Sequence, residues 1–453
     1  MTATSSPSLA PSKRANRRSW WRDSVEAFAW LTAAGAAAVF LQSGGADWFS
    51  PTDVFNSLGR LLGIVAAVLV MMQLVLVSRN PVVERAFGHD RTTTLHTLSG
   101  KIAFVAMIAH MTIITLTHGQ YDGRSYADQF IHQMQASWFM LAAVIGFWVF
   151  TLAVLVSIKP WRRAWKYQNW HAVHLLMYVA IILVIPHQFL EGSTFRDGGF
   201  AWWYWFTLYA IAIASLVVFR VLVPLVQYSK RGLRVQSVQR LDDGSTTVVI
   251  GGNVAAINAR AGQFFLWRFL ARGHWREAHP YSLSEAPDGS NLRITVKPSG
   301  DGSAAVADLK AGTRVMAEGP LGVFHEETRI GSSLVLIAAG IGITPIRSML
   351  ADAKADEAIT VIVRARSRDE APLLDEVERL ADEKSATLHV IIGERGIGWA
   401  SAGQPAALST LVPSVDSADV FICGPKPWAD AVEKDAVAAG VRADAIHREK
   451  FGW

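Results

Sequence analysis

Apolar and polar residues alternate on three different periods along the chain. Unbroken apolar runs fall near 25–43, 58–78, 94–117, 136–158, 170–189 and 201–226. At ~1.5 Å rise per residue each run is long enough, or nearly so, to cross a hydrocarbon layer about 30 Å thick as a helix. After Tyr228 the texture changes to short strands of period two, such as TTVVI (246–250) and LRITV (292–296), broken by Gly, Asn and Asp. That pattern predicts a small antiparallel sheet or barrel. From Ser333 strands and helices alternate: SLVLIAA then TPIRSMLADA, ITVIV then PLLDEVERLADE, TLHVII, and DVFIC then PKPWADAVEKDAVAAG. This rhythm predicts an α/β domain with a parallel sheet. The expected architecture is a multidomain membrane protein. A disordered cytoplasmic tail (1–22) precedes a six-helix transmembrane bundle (23–227), an antiparallel β-barrel (228–328) and an α/β nucleotide-binding domain (329–453).

Composition supports the membrane reading. Of 453 residues, 51% are hydrophobic and only 18% charged, and seventeen tryptophans suit interfacial belts, as does WWYWF at 202–206. The net charge of +5 does not point to nucleic acid, because the basic residues cluster beside the apolar runs. Lys13, Arg14, Arg17, Arg18 and Arg22 precede the first run; Arg79, Arg85 and Arg91 follow the second. Lys159, Arg162, Arg163 and Lys166 follow the fourth, and Lys230, Arg231 and Arg234 the last. The other connections offer Arg124 and Arg196, with Arg60 at a run edge. By the positive-inside rule both termini and the folded domains are cytoplasmic. Arg17-Arg18 before aromatics resembles a twin-arginine export signal, but five further runs favour a retained anchor. A single cysteine, Cys423, excludes an internal disulfide and a cysteine-ligated metal cluster.

The third run carries His96 and His110, and the fifth carries His174 and His187. An imidazole in hydrocarbon is costly, so its default reading is functional. Spacings of fourteen and thirteen residues separate each pair by about 20 Å along its helix. Side by side, the helices form two levels: His96 with His174 near the cytoplasm, His110 with His187 near the outer face. Two facing imidazoles can hold a haem iron axially, so the expected metal ligands are these four and the expected cofactors two b-type haems. Fourteen residues return a ring to within about 40° of its face, whereas thirteen leave it about 140° away. Pro186 could re-aim His187. The alternative is four polar side chains satisfied between helices. His171 shares roughly the face of His174 and could meet a haem propionate or serve in a cap, and Arg162, Arg163 and Lys166 could pair with propionates. His89, His118 and His132 read as solvated.

In the α/β domain, Gly340-Ile341-Gly342-Ile343-Thr344-Pro345 follows the first strand. Gly340 and Gly342 allow close backbone approach to a pyrophosphate; Thr344 can cap the next helix, and Pro345 suits its first turn. Five further motifs occur in order with it: Gln263-Phe264-Phe265, His279-Pro280-Tyr281-Ser282-Leu283-Ser284, Gly300-Asp301-Gly302-Ser303, Glu318-Gly319-Pro320 and Cys423-Gly424-Pro425. This set resembles the ferredoxin–NADP reductase superfamily. Together with the histidine pairs, the chain from about residue 25 resembles the ferric reductase/NADPH oxidase family.

The resemblance implies a FAD-binding barrel followed by a nicotinamide-nucleotide domain. It implies that His279, beside Pro280, contacts the FAD phosphate or ribityl chain, that Tyr281 packs on the isoalloxazine, and that Ser282 bonds near its N5. Gly302 and Ser303 match the pyrophosphate turn. Cys423, followed by Gly424 and Pro425, would lie by the nicotinamide C4; taken alone, a cysteine at a strand end reads as a small buried hydrophobe. Glu449-Lys450-Phe451 matches an acid-x-aromatic ending whose aromatic covers the flavin, but Gly452 and Trp453 follow, so Phe451 or Trp453 is the shield. Arg364, Arg366, Ser367 and Arg368 lie where the adenosine ribose is recognised; guanidinium there favours NADPH over NADH, although Asp369 and Glu370 come directly after.

The implied activity carries electrons from cytoplasmic NADPH through FAD and two haems to a small-molecule acceptor outside, either dioxygen, giving superoxide, or a ferric chelate. Membrane lipid is the other expected partner. Two alternatives keep the same elements: a haem-free, membrane-anchored flavin or protein reductase, and a proton-conducting bundle with titrating histidines.

Overall fold

A computed structural model describes residues 13–449 except 195–198, 272–273, 276, 355–356, 397 and 402–406; side chains are described from Trp20, Asp90 excepted. The chain divides into two compact units. One comprises Asp23–Val83 and Arg91–Val221; the other includes Glu84–Asp90 and the chain from Leu222.

The first unit is helical. Its elements are α1 (Lys13–Gln42), α2 (Pro51–Val77), α3 (Pro81–Asp122), α4 (Tyr126–Ala136), α5 (Trp138–Leu155), α6 (Lys159–Ala164), α7 (Tyr167–Leu190) and α8 (Gly199–Val217). Among the described residues, six helices are long and apolar enough to cross a membrane: α1, α2, α3, α5, α7 and the α8 segment through Arg231. The first helix is already formed at Lys13, inside the stretch expected to be a disordered tail; residues 1–12 lie outside the described residues. Large apolar side chains face outward along these helices, Trp30 at 76% exposure, Ile182 at 68% and Val105 at 66%. In water such a surface would be a liability; against lipid it needs no partner.

Local chemistry sets the helix ends. Ser50 accepts from the Asp53 N–H to cap α2, with Pro51 in the first turn, and Ser137 accepts from the Met140 N–H to cap α5. The α5–α7 pair packs closely because Gly146 has no side chain: a Cβ there would come within 3.0 Å of the Ala180 carbonyl oxygen and 2.9 Å of a Val184 methyl. Within α3, Gly88 has φ 72° and ψ 162°, a conformation that breaks the helix at the start of the membrane run.

The second unit begins with a π turn ending at Leu222 and α9 (Val223–Arg231). Arg231 belongs to the basic group expected to set topology, yet it is buried and donates to the Ala317 and Gly319 carbonyls at 3.1 and 3.3 Å. It pins α9 to the sheet.

Six strands follow: β1 (Arg234–Arg240), β2 (Thr246–Gly251), β3 (Phe264–Phe269), β4 (His279–Ser282), β5 (Asn291–Val296) and β6 (Val315–Leu321), with the short helix α10 (Asp301–Ala304) before β6. The expected barrel is present as two three-stranded antiparallel sheets, β1-β2-β5 and β4-β3-β6. Isolated bridges Leu283↔Ile294 and Arg234↔Arg314 join them at both edges, so ladder pairing is interrupted rather than continuous around the ring. Val248, Ile250, Phe265, Trp267, Leu283 and Ile294 fill the space between the sheets.

The α/β part contains β7 (Ser333–Ala339), α11 (Ile343–Asp352), β8 (Ile359–Ala365), α12 (Leu374–Glu383), β9 (Thr387–Ile392), α13 (Leu408–Leu411), β10 (Ala418–Cys423), α14 (Lys426–Ala438) and β11 (Ile446–Glu449). All five strands are parallel, in the order β11-β10-β7-β8-β9. The order reverses between β7 and β10, and such a switch point opens a crevice at the carboxyl ends of the strands.

Candidate redox sites in the two units

In the membrane unit, His96 on α3 faces His174 on α7 with ring centroids 6.2 Å apart and planes crossed at 80°. Two metal–imidazole bonds of about 2 Å each, plus roughly one ring radius at either end, add to about 6 Å. The inner pair therefore has the separation that one axially held metal requires.

Hydrogen bonds on the far side of the rings settle which nitrogen is offered. His110 Nδ1 donates to the Gly59 carbonyl at 2.8 Å, and His187 Nδ1 makes a short contact to the Val184 carbonyl. A carbonyl only accepts, so each Nδ1 carries the proton and each Nε2 keeps its lone pair. His174 Nδ1 lies 3.2 Å from the Ser157 hydroxyl. Nε2 of His110, His174 and His187 has no hydrogen-bond partner among the described residues, and buried His96 Nδ1 has none either. Gly63 makes room at the outer level, since a Cβ there would lie 2.6 Å from His110 Nδ1. Pro186 lies inside α7 and lacks the N–H that would serve the helix one turn earlier. No group of three or more His, Cys, Asp or Glu fit to hold a metal occurs among the described residues. The donor set fits haem.

Of the other histidines, His118 and His132 are exposed, and His89 alone departs from the solvated reading. His171 packs against the rings of Tyr167 and Trp170. Arg162 stacks over Trp170 at 4.3 Å from its centroid. His118 lies 3.4 Å from Gln133 Nε2. His89, read as solvated, has a side chain only 12% exposed; it pairs with Glu84 at 3.1 Å and meets the Phe264 ring edge-on at 6.0 Å. The cause is Gly88, whose backbone turns the segment so that it packs on Val323 and Phe264 within the second unit.

In the flavin-type half, β4 sets His279 and Tyr281 on one face, two residues apart, with rings stacked at 5.9 Å and 17°. Pro280 lies between them, paired with Leu266 of β3. The Tyr281 hydroxyl and the Ser282 Oγ are buried without a hydrogen-bond partner among the described residues. Orphaned groups of this kind are costly unless something else fills them. Burial pushes the Tyr281 phenol well up, so it remains a donor at neutral pH. Burial, opposed by Glu277, holds His279 below the ordinary imidazole range, so it is neutral there. A Cβ at Gly302 would lie 2.6 Å from His279 Cε1, so only glycine lets this turn rest on the ring. Ser303 Oγ receives the Ser299 and Gly300 N–H groups at 2.8 and 3.0 Å, shaping that turn.

At the switch point, Gly340 has φ 57°, and a Cβ at Gly342 would collide with the Cys423 carbonyl oxygen and stand 2.9 Å from the Gly424 nitrogen. The two glycine turns thus meet, and a Cβ at Gly424 would strike the Trp428 ring. Thr344 does not cap α11: its hydroxyl turns back to the Ile341 carbonyl at 3.0 Å because the helix starts one residue earlier, at Ile343, with Gly342 as an N-cap without a side-chain bond. Pro345 is buried in the first turn, and Pro425 precedes α14. The helix amides remain without a side-chain cap, the arrangement that favours an anion.

Cys423 is fully buried, and burial with the nearby Glu449 carboxylate raises its thiol well above the ordinary range. It is a protonated, shape-defining group rather than a nucleophile. Glu449 pairs in register with Cys423 and is itself buried. Phe451 and Trp453 lie outside the described residues. Arg366 is exposed and approaches Glu394 at 3.3 Å, whereas Arg368 is held bidentately by Glu378 at 2.6 and 2.7 Å. Arg364 donates to the Gly393 carbonyl at 3.0 Å, with Arg366 and Arg395 close by.

Comparison with known proteins agrees with this division. The family described as ferric reductase like transmembrane component matches residues 62–185, and the oxidoreductase NAD-binding domain family matches 336–434. This is the fusion architecture of the ferric reductase/NADPH oxidase type. Its soluble half is 30% identical over 211 residues to a flavohemoprotein of Xylella fastidiosa, covering 43% of this chain and 51% of that protein. It is 32% identical over 216 residues to the ferredoxin reductase component of 3-ketosteroid-9-alpha-monooxygenase of Mycolicibacterium smegmatis, covering 45% and 60%. The chain thus spans about half the length of the curated relatives it matches. A solved FAD/NAD-binding domain of nitric oxide dioxygenase from Vibrio cholerae shares 26% identity over 49% of this chain and 99% of its own, at a TM-score of 0.43. The ferric reductase/NADPH oxidase-type architecture makes the chain a membrane protein with an oxidoreductase module.

Missed by sequence reasoning were the partners of the histidines: Gly59, Gly63, Ser157 and Trp170. Trp170 carried a signal, lying one helical turn before His174 on the same face. The others lie elsewhere in the chain, Gly59 and Gly63 on α2 and Ser157 in the turn after α5, where spacing is mute.

Proposed function

We propose that the protein moves electrons from cytoplasmic NADPH across the membrane to a small acceptor outside, with FAD in the 228–328 domain, NADPH in the 329–453 domain and two b-type haems in the bundle. When bound, the flavin takes a hydride from the nicotinamide and releases electrons singly, and the haems carry single electrons through the apolar layer. The reading rests on one observation above others, the 6.2 Å approach of the His96 and His174 rings, their planes crossed at 80°. His110 and His187 form the second ligand pair, their tautomers set by backbone carbonyls.

Residues of the second unit bind and orient. The uncapped amides after Gly340 and Gly342 hold the nucleotide's pyrophosphate, while Arg366 and Arg364 favour a 2′-phosphate. His279, Gly302 and Ser303 hold the flavin's chain. Tyr281 and Ser282 give their orphaned hydroxyls to it, with Cys423 and Glu449 forming the floor near the nicotinamide. Positive-inside charge puts this unit in the cytoplasm, so outward transfer is favoured by ~2.3 kcal/mol per 100 mV of inside-negative potential.

The visible spectrum of the purified protein tests the ligand pairs. An intense Soret band is expected, with His174→Ala and His110→Ala each losing about half of it. Full haem content in both variants would overturn the assignment, and absence of haem from the native protein would leave the anchored flavin reductase. The acceptor is read by NADPH-dependent cytochrome c reduction with and without superoxide dismutase, against a ferric-chelate assay. Sensitivity to the dismutase selects dioxygen, and insensitivity with rapid chelate reduction selects iron.

A further inference from the structure

The two histidine levels are held by different chemistry. At the outer level both Nδ1 atoms meet backbone carbonyls, of Gly59 and Val184. At the inner level His174 Nδ1 meets a side chain, Ser157 Oγ, at 3.2 Å. The same oxygen donates to the Ala153 carbonyl at 2.7 Å and accepts from Trp170 Nε1 at 3.1 Å. A hydroxyl has one hydrogen and two lone pairs. Its hydrogen is committed to Ala153 and one lone pair to Trp170, so the second lone pair can only accept from His174. That saturation forces the Nδ1–H tautomer and leaves Nε2 for the His96 side.

Trp170 is fixed by the same oxygen. Its indole lies on the His174 imidazole at 5.1 Å and 21°, and the Arg162 guanidinium covers its ring at 4.3 Å. The result is a three-layer stack, cation on indole on imidazole, with Ser157 as the pin through two of its layers. Among the described residues the outer pair has no such stack: the ring contacts recorded for the inner histidines have no counterpart at His110 or His187.

We propose that Ser157 is the positioning residue of the inner haem site, and that Ser157, Trp170 and Arg162 together set that haem's reduction potential separately from the outer one. The proposal rests on the reading that His96 and His174 ligate haem. Ser157 acts through the tautomer and orientation of His174: accepting from Nδ1–H raises the basicity of the ligating nitrogen and favours ferric iron. Arg162 works in the opposite direction, because a positive charge close to the ligand favours the reduced, less positive iron. Two neighbouring side chains thus pull the same potential in opposite senses.

The test is an equilibrium redox titration of the haem-loaded full-length protein, followed by visible absorbance and by the low-spin EPR signals of the two sites. Ser157→Ala is expected to raise one midpoint by about a tenfold change in equilibrium constant, about 59 mV for a one-electron couple. Its EPR signal should broaden as the ring loses its fixed orientation, and the other haem should be unchanged. Ser157→Thr, which keeps the hydroxyl, should restore both. Arg162→Gln should lower the same midpoint, and Trp170→Phe, which keeps the plate but removes the N–H, should shift it less than Ser157→Ala does. If both midpoints and both signals are native-like in Ser157→Ala with two haems bound, the proposal is overturned. Equal shifts of both haems would overturn it too. His174→Ala separates this from the underlying reading: loss of one haem there, with Ser157→Ala silent, sinks only the present proposal, whereas retention of both haems sinks the ligand assignment itself.

Discussion

The membrane unit and the second unit build their candidate sites in contrasting ways. In the bundle, candidate ligands sit within helices, and close packing made possible by missing side chains gives them room, at Gly146 between α5 and α7 and at Gly63 beside His110, while carbonyls and one hydroxyl orient the rings. In the second unit, candidate contacts sit at strand ends and in turns, around hydroxyls left without partners among the described residues, Tyr281 and Ser282. Helices in lipid satisfy their own backbone, so a site there is made by excluding atoms. Strand-end turns leave amides and hydroxyls unspent, so a site there is made by offering bonds. Crowding substitutions at glycines should therefore be most damaging in the bundle, where Ser157 is the hydroxyl that orients a ring, and lost hydroxyls should matter most in the other unit.

The largest effect expected from this contrast is at Gly63. Gly63→Val puts carbon against His110 Nδ1, where even a Cβ would lie at 2.6 Å, and breaks the bond to Gly59. Affinity for the outer haem should fall roughly 10–100-fold while the inner one stays, read as loss of half the haem absorbance on dilution. A uniform loss of both haems would mean that the bundle, rather than one level, depends on this glycine. Next comes Gly302→Val, a steric test applied to the soluble unit. It should drive the turn off His279 and weaken FAD by about tenfold, about 1.4 kcal/mol, measured by flavin fluorescence on titration. If FAD binds normally, the stacked His279–Tyr281 face is not where the flavin's chain lies.

Much of this was legible because the two units write their signals differently. The spans, the parallel sheet and the glycine turns follow from periodicity and from φ angles that only glycine adopts easily, as at Gly340. The four histidines stand out because imidazole is rare in hydrocarbon. What the chain did not disclose was mostly pairwise and non-local. Ser157 reads as a residue at a helix end, and Arg231 as one more topology-setting cation, until folding brings His174 and Ala317 to them. His89 read as solvated because nothing in sequence says that Gly88 turns it onto Phe264. Thr344 missed its capping role because α11 starts at Ile343 with Gly342 as N-cap, two residues before the position a cap at Thr344 would need, a shift that propensity does not resolve.

A smaller effect sharpens the claim about offered bonds. Ser282→Ala removes an orphaned Oγ, so the flavin-depleted protein should become more stable by about 1 kcal/mol while the flavin-loaded one does not gain. Thermal unfolding with and without FAD reads the difference, and equal gains in both forms would mean that Ser282 offers nothing to the cofactor.

The smallest effect concerns how the two halves of the soluble unit are joined. Arg293 of β5 grips Glu376 of α12 at 2.8 and 2.6 Å, and Arg347 of α11 adds a third bond at 3.0 Å. Burial alone would raise the Glu376 carboxyl, but the hydrogen bonds and charges of the two arginines outweigh it and hold the group below the ordinary 4.5. A depressed carboxyl stabilises the fold at pH values above its unfolded pKa, and that contribution is lost as pH falls through the folded value. Stability of the native protein should thus decline on the acid side of about 4.5, and Glu376→Gln should flatten that part of the profile while already being less stable at neutral pH. The membrane unit provides the internal contrast: its histidine levels are fixed by carbonyls and a hydroxyl, none of which titrates in this range, so haem absorbance should hold while the soluble unit loosens. Flavin release and haem release moving together on acidification would show that the two modes of placement are not independent.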